Sequence, residues 1–388
     1  MTKFHFACPG EIFFGENAVK EHPEVFSQYG KKAFIITSVF SDGCPNLALQ
    51  EVIEVLESQK VEYKVNDSVQ PDPTVEACVD ILKEVEAFCP DLLIGIGGGS
   101  VMDSVKGVNV MWKYNDLEPY DALFNNGPHV FGVGGEDEGK VPFISVSTTS
   151  GTGADLTGVA VLTRADIDNK CGTNRRNYAR YNFTDPRYIM STPTALNHAV
   201  AVDALCHGIE AYLSRGSRDD FMTNFISEAA FRLFADFKEN LLKDTMSDED
   251  YSKQALHSML QGMVIINEVT GVPHGLGYPL SHYYHVPHGL ACGVFEGEYL
   301  REFHDPEGRA RVEKVVKCIG FDSVDDFCDY IQAVIAPHID IKVTLDEIEA
   351  WTDQFCSQQW RIDRHPEALT RDMVKGMYER ALKKFIVA

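Results

Sequence analysis

The chain has 388 residues, 44 % of them hydrophobic and 24 % charged, with 58 acidic against 35 basic side chains and a formal net charge of −23. At roughly 100–200 residues per domain, this length suits two domains with cores of ordinary size. The acidic balance argues against nucleic acid and anionic membrane surfaces as partners, and no run reaches the roughly 18 apolar residues of a membrane helix.

At the N-terminus, Phe4, Phe6 and residues 12–14 flank Cys8, Pro9 and Gly10, which predicts a hairpin. Its open edge suits pairing in a homo-oligomer, a dimer in the simplest case. Residues 32–37 read as a buried strand, 45–60 as a helix with Leu47, Val52, Val55 and Leu56 on one face, and 61–65 as an alternating strand. Pro71 and Pro73 break the chain, and Thr74 is placed to cap the next helix. Residues 91–96 and 141–146 are further strands. Between them 125–139, rich in Gly, Asp and Glu, reads as a flexible surface loop. Strands alternating with helices predict a doubly wound α/β domain with a parallel sheet, assigned to 1–185. From 186 to 388 the pattern is helical almost throughout, over 197–214, 219–243, 250–268, 309–318, 323–335, 344–358 and 370–385. The ten cysteines show no C-x-x-C pair, and the first residues do not resemble a signal peptide. They read as reduced thiols of a cytoplasmic protein.

Two loops of the first half carry a possible nucleotide site. Gly97, Gly98, Gly99 and Ser100 follow a predicted strand and open a predicted helix. Glycines there let a phosphate approach the backbone and the free N–H groups of the helix start. The same glycines also suit a tight turn with no ligand. After the strand ending at Val146 comes a second loop with Thr148, Thr149 and Thr152, whose hydroxyls suit the ribose and pyrophosphate of a dinucleotide. Open α/β sheets bind ligands at the C-terminal ends of strands.

In the second half, Asp203 and His207 stand four residues apart on one helical face. Residues 272–289 then hold four of the thirteen histidines, His274 and His288 among them. Three imidazoles and one carboxylate suit Fe(II) or Zn(II) with a position left open for a substrate oxygen.

Together these motifs resemble the iron-containing (group III) alcohol dehydrogenase family over essentially the whole chain. Gly97, Gly98, Gly99 and Ser100 with Asp103 and Lys106 are similar to its pyrophosphate loop, and Thr148 to Asp155 to its Thr-Thr-x-Gly-Thr segment. Asp203 to Tyr212 is similar to its Asp-Ala-x-x-His-x-x-Glu-Ala-Tyr helix. His274, with Pro287-His288-Gly289 fourteen residues on, is similar to its last ligand pair. The resemblance implies a Rossmann-like N-terminal domain and an all-helical C-terminal domain, the dehydroquinate-synthase-like architecture, with the site in the cleft between them. It implies Asp203, His207, His274 and His288 as ligands of Fe(II), or Zn(II) in some members.

The chain departs from the family pattern at three positions. Tyr278 stands where a histidine near the nicotinamide is frequent, and is the candidate catalytic residue. Asp155 stands where Glu is usual. Ser38 follows the second strand where an Asp would repel a 2′-phosphate, so NAD and NADP are both compatible. The implied activity is hydride transfer between NAD(P)(H) and a small alcohol, aldehyde or ketone. Glu210, three residues past His207, is placed to support a ligand, while His282 and His285 read as lining residues. Lys106 and Lys170 are candidates to meet cofactor charge. The competing readings are a dehydroquinate-synthase-like lyase or polyol-phosphate dehydrogenase, which calls for more basic residues around the metal motifs, and a non-catalytic protein, which calls for decay of the ligand set.

Overall fold

The computed structural model describes residues 4–39, 46–125 and 137–387. The chain divides into two compact units, Ala7–Thr192 and Pro193–Ala388, the latter joined by the N-terminal segment up to Phe6. The expected loop at 125–139 falls mostly on 126–136, outside the described residues.

The first unit is a six-stranded sheet built from β1 (Glu11–Phe14), β2 (Lys32–Ser38), β3 (Glu62–Val69), β4 (Leu92–Gly97), β5 (Phe143–Ser147) and β8 (Tyr181–Thr184). Its order is β1-β8-β5-β4-β2-β3 with every pair parallel. Between β5 and β8, β6 (Val161–Arg164) and β7 (Asn169–Gly172) form a separate antiparallel pair. Side-chain alternation sorts the core onto the two faces of the sheet. Phe34, Ile36, Leu93 and Phe143 pack on one face, and Ile35, Ile94, Ile144 and Val146 on the other.

The chain leaves β2 for β3 on one side and returns to β4 on the other. The crevice outside the C-terminal ends of β2 and β4 is therefore a topological switch point. Helices α1 (Leu47–Ser58), α2 (Val75–Phe88) and α3 (Gly99–Lys113) supply the crossovers. Asn46 caps α1 through Leu49 N–H, and Thr74 caps α2 through Ala77 N–H, 3.0 and 3.1 Å.

The expected N-terminal hairpin does not form. Ile12 to Phe14 lie in β1, which pairs in parallel with β8, and Phe4 to Phe6 are not a strand. The physical reason lies at Phe6, which packs on Ala211, Ile226 and Val264 of the helical unit. Gly10 keeps the chain close to Ala179 and Asn182. The short strand β8, which the residue pattern did not single out, takes the place between β1 and β5.

The helical unit is organised around α4 (Thr194–Leu213), buried at every position from Asn197 to Leu213. A helix buried on all faces is a core element, and its low amphipathicity follows from that. Around it stand α5 (Phe221–Leu242), α6 (Asp248–Asn267), α7 (Val272–Tyr284) and α8 (His288–Arg301). Four long helices follow, α9 (Pro306–Cys318), α10 (Val324–Ile335), α11 (Leu345–Cys356) and α12 (Arg371–Ala381). Periodicity missed α7 and α8, because Pro273, Pro279 and five glycines interrupt the apolar pattern. Pro273 sits in the first turn of α7, where no amide is needed, and Pro279 is carried inside it.

Candidate metal centre and nucleotide cradle

Three helices of the second unit converge on one carboxylate oxygen. Asp203 Oδ1, on α4, lies 3.8 Å from His207 Nε2, 3.5 Å from His274 Nε2 and 4.0 Å from His288 Nε2. The His207 and His274 rings are stacked with centroids 4.7 Å apart. Asp203, His207 and His274 are buried, each at most 5 % exposed.

Glycines make the convergence possible. A Cβ at Gly289 would stand 2.6 Å from Asp203 Cβ and would also strike the Ala199 carbonyl, so α8 can start against α4 only with glycine there. At Gly277, a Cβ would lie 2.9 Å from the Ala291 carbonyl carbon, which fixes α7 against α8.

A buried carboxylate then orients one imidazole. Glu210 Oε1 accepts from His274 Nδ1, and Glu210 Oε2 accepts from Gly271 N–H at 2.6 Å. With Nδ1 engaged by Glu210, His274 Nε2 is the ring nitrogen turned toward Asp203. Burial alone would raise the Asp203 carboxyl, but the His207, His274 and His288 rings outweigh it and hold it well below the carboxylate range. Burial opposes a charge on His274, yet Cys292, Glu210 and Asp203 around it draw its affinity for a proton well above the ordinary value. Both directions describe a pocket that attracts positive charge.

The donor set fits a divalent transition metal. Asp203 Oδ1 and His274 Nε2 are buried without a hydrogen-bond partner among the described residues, the condition a metal ion relieves. Cys292, one turn beyond His288 on α8, also belongs to the cluster. Donor atoms of Asp203, His274, His288 and Cys292 all lie within 4.8 Å of one another. Residue patterning read the cysteines only as reduced thiols, although the i, i+4 spacing from His288 was a usable signal. A further turn on stands Glu296, wholly buried, its carboxyl driven far above the usual range by burial and by Glu210.

Tyr278 lies beside this cluster, its ring stacked on His288 with centroids 5.9 Å apart. The Arg361 guanidinium sits 4.8 Å from the Tyr278 ring centre and donates from Nε to Gln358 Oε1 at 2.8 Å. Nothing local in the sequence links residue 361 to 278. His285 is exposed and closes α7 in a left-handed conformation, and His282 packs edge-on against Tyr283. Neither joins the donor cluster.

In the α/β unit the two polar loops meet. β4 and β5 are neighbours, with Gly97 in register with Ser147, and Thr148 N–H donates to the Gly97 carbonyl at 3.1 Å. A Cβ at Gly98 would stand 2.7 Å from Thr149 Oγ1, and one at Gly99 would stand 2.8 Å from Thr152 Cγ2. The glycine turn and the threonine loop thus form a single surface at the start of α3. Ser100 Oγ accepts from Asp72 N–H at 3.3 Å, and Ser38 ends β2 at the switch point.

Asp103 and Lys106 are engaged one turn deeper. Lys106 Nζ donates to Val159 O at 2.9 Å and Thr157 Oγ1 at 3.2 Å, and lies 3.5 Å from Asp103 Oδ1. Burial pushes the Asp103 carboxyl up to about 6 and the Lys106 ammonium down. Lys106, placed by its motif to meet cofactor charge, instead spends its donors inside the unit. Lys170 pairs with Asp72 at 2.6 Å.

The family pattern for iron-containing alcohol dehydrogenase matches residues 9–186, and that for the Fe-containing alcohol dehydrogenase family, C-terminal, matches 198–382. The chain belongs to the iron-containing alcohol dehydrogenase family. Alcohol dehydrogenase 4 of Schizosaccharomyces pombe is 24 % identical, covering 97 % of this chain and 89 % of its own. The NADPH-dependent butanol dehydrogenase of Clostridium saccharobutylicum is 25 % identical, covering 98 % and 95 %. An iron-containing alcohol dehydrogenase of Thermotoga maritima superposes with a TM-score of 0.85 at 27 % identity, over 98 % of this chain and 100 % of that one. Family membership favours the oxidoreductase reading over the lyase and polyol-phosphate alternatives. Among the described residues no helix is long and apolar enough to cross a membrane.

Proposed function

We propose that this member of the iron-containing alcohol dehydrogenase family is an NAD(P)-dependent alcohol dehydrogenase or aldehyde reductase acting on a small alcohol, aldehyde or ketone. The observation that carries the reading is the approach of three imidazoles to one buried, unpartnered oxygen of Asp203. In this reading Asp203, His207, His274 and His288 hold Fe(II), or Zn(II). When bound, the metal supplies polarisation of a substrate oxygen and the nicotinamide supplies or accepts the hydride.

The chain's own residues do the positioning. Glu210 fixes the His274 tautomer, and α4, α7 and α8 fix the donors before any ligand arrives. Tyr278, beside His288, gives or takes a proton at its Oη. Gly97, Gly98, Gly99 and Ser100, with Thr148, Thr149 and Thr152, form the phosphate and ribose surface, and Asp103 steadies α3 beneath it through Lys106. Ser38 bears no charge to repel a 2′-phosphate, which supports acceptance of either NAD or NADP. The same reading includes a cytoplasmic location, supported by nine free cysteines among the described residues. It also includes a homo-oligomer, a dimer in the simplest form, supported by β1 standing at a sheet edge.

The test is NAD(P)H oxidation by protein reconstituted with Fe(II) or Zn(II), over a panel of small aldehydes and ketones. Turnover is expected, and His274→Ala is expected to lose both turnover and bound metal. A His274→Ala protein with full activity and stoichiometric metal would refute the assignment.

A further inference from the structure

We propose that Cys292 is a direct ligand of the metal centre, adding a sulfur donor that shifts its preference from Fe(II) toward Zn(II) and Co(II). The inference rests on the metal-centre reading above and goes beyond it, since that reading assigns only oxygen and nitrogen donors.

Helix α8 places His288 and Cys292 one turn apart on the same face. Cys292 Sγ stands 3.9 Å from His288 Nε2, and its donor atom joins those of Asp203, His274 and His288 within a 4.8 Å group. With Zn–N distances near 2.0–2.1 Å and Zn–S near 2.3 Å, no two donors of one ion lie more than roughly 4.4 Å apart, whatever its coordination number. The observed separations of 3.5 Å for Asp203 to His274 and 3.9 Å for Cys292 to His288 therefore need little side-chain movement to close on a common ion.

A second, independent observation points to the same centre. Asp203 Oδ1 and His274 Nε2, on residues 3 % exposed, have no hydrogen-bond partner among the described residues. Cys292 is itself 0 % exposed, and its Sγ lies 3.9 Å from both ring nitrogens of His288. On binding, the S–H bond breaks, a sulfur–metal bond forms and the proton passes to solvent. A thiolate among imidazoles and a carboxylate favours Zn(II) over Fe(II), because the softer sulfur selects the softer ion.

The test uses the full chain stripped of metal and titrated with Co(II) alone, under reducing and oxygen-free conditions. Wild-type protein should bind stoichiometric Co(II), showing visible d–d bands together with a near-ultraviolet sulfur-to-cobalt charge-transfer band. Cys292→Ser should keep the visible bands, lose the near-ultraviolet one, and bind Zn(II) at least about tenfold more weakly, with a smaller change for Fe(II). Cys206→Ser, at the neighbouring buried thiol, should leave both bands in place. A charge-transfer band that is absent from wild type, or that survives in Cys292→Ser, overturns the proposal while leaving binding through Asp203 intact. Wild-type protein that takes up no Co(II) overturns the metal-centre reading, and this proposal with it.

Discussion

At the glycine turn of the α/β unit, Gly98 and Gly99 meet Thr149 and Thr152 with backbone alone. At the donor cluster of the helical unit, Asp203, His274 and His288 arrive on three different helices, each held by a side chain or a glycine contact elsewhere. The first surface is made by what is missing, a row of Cβ atoms. The second is made by what is present and charged. A backbone surface tolerates change in most neighbouring side chains and is narrowed by added bulk, whereas a side-chain cluster depends on every member and on what orients it.

The largest effect should come from the cluster. His274→Ala removes a donor and the partner of Glu210 together, and should abolish bound metal and turnover, measured by metal analysis and NAD(P)H oxidation. Retention of both would erase the contrast between the two surfaces.

Next in size is the acid response of the helical unit. His257, on α6, is wholly buried, and burial lowers it from 6.5 to about 4. The unfolded chain therefore binds a proton that the folded chain refuses between those values. Stability from this group is complete above pH 6.5, falls as pH drops, and is lost by about pH 4, a loss of about 3 kcal/mol. The stability difference between wild type and His257→Gln, followed by denaturant unfolding across that window, should change by this amount. A flat difference would refute the assignment.

A smaller loss is expected at Glu210. Glu210→Gln keeps the shape but removes the charge facing His274 Nδ1. Metal affinity should fall about 10–100-fold with the fold intact, as read by competition with a chelator. The smallest effect belongs to the backbone surface. Gly98→Ala adds a Cβ 2.7 Å from Thr149 Oγ1, which can give way. Nucleotide Kd should rise about tenfold, near 1.4 kcal/mol, with metal content unchanged. A change in metal content there would mean that the two surfaces are not separable.

The same contrast governs how readily each region was read from residues alone. The glycine turn was legible because strand, turn and helix are contiguous, from Leu92 through Lys113. Asp203, His207 and Glu210 were legible because one helix spaces them by fours and threes. Helices α7 and α8 were not, since prolines and glycines that serve close packing erase the apolar periodicity that marks a helix. Lys106 misled for a related reason. Its motif says where it lies along α3, and only the packed unit shows its ammonium turned to Val159 O and Thr157.

The amino-acid sequence alone determined the class of chemistry and the alternation of strands and helices, because donor types, helical spacing and strand periodicity are local properties of a chain. Tertiary structure alone decided that β1 pairs with β8 and not with Phe4–Phe6, and that Cys292 stands within the donor-atom group of Asp203, His274 and His288. It also decided that Arg361 lies over Tyr278. Those contacts join residues distant in the chain or hidden by burial, and which of them form depends on where a missing Cβ lets two backbones approach.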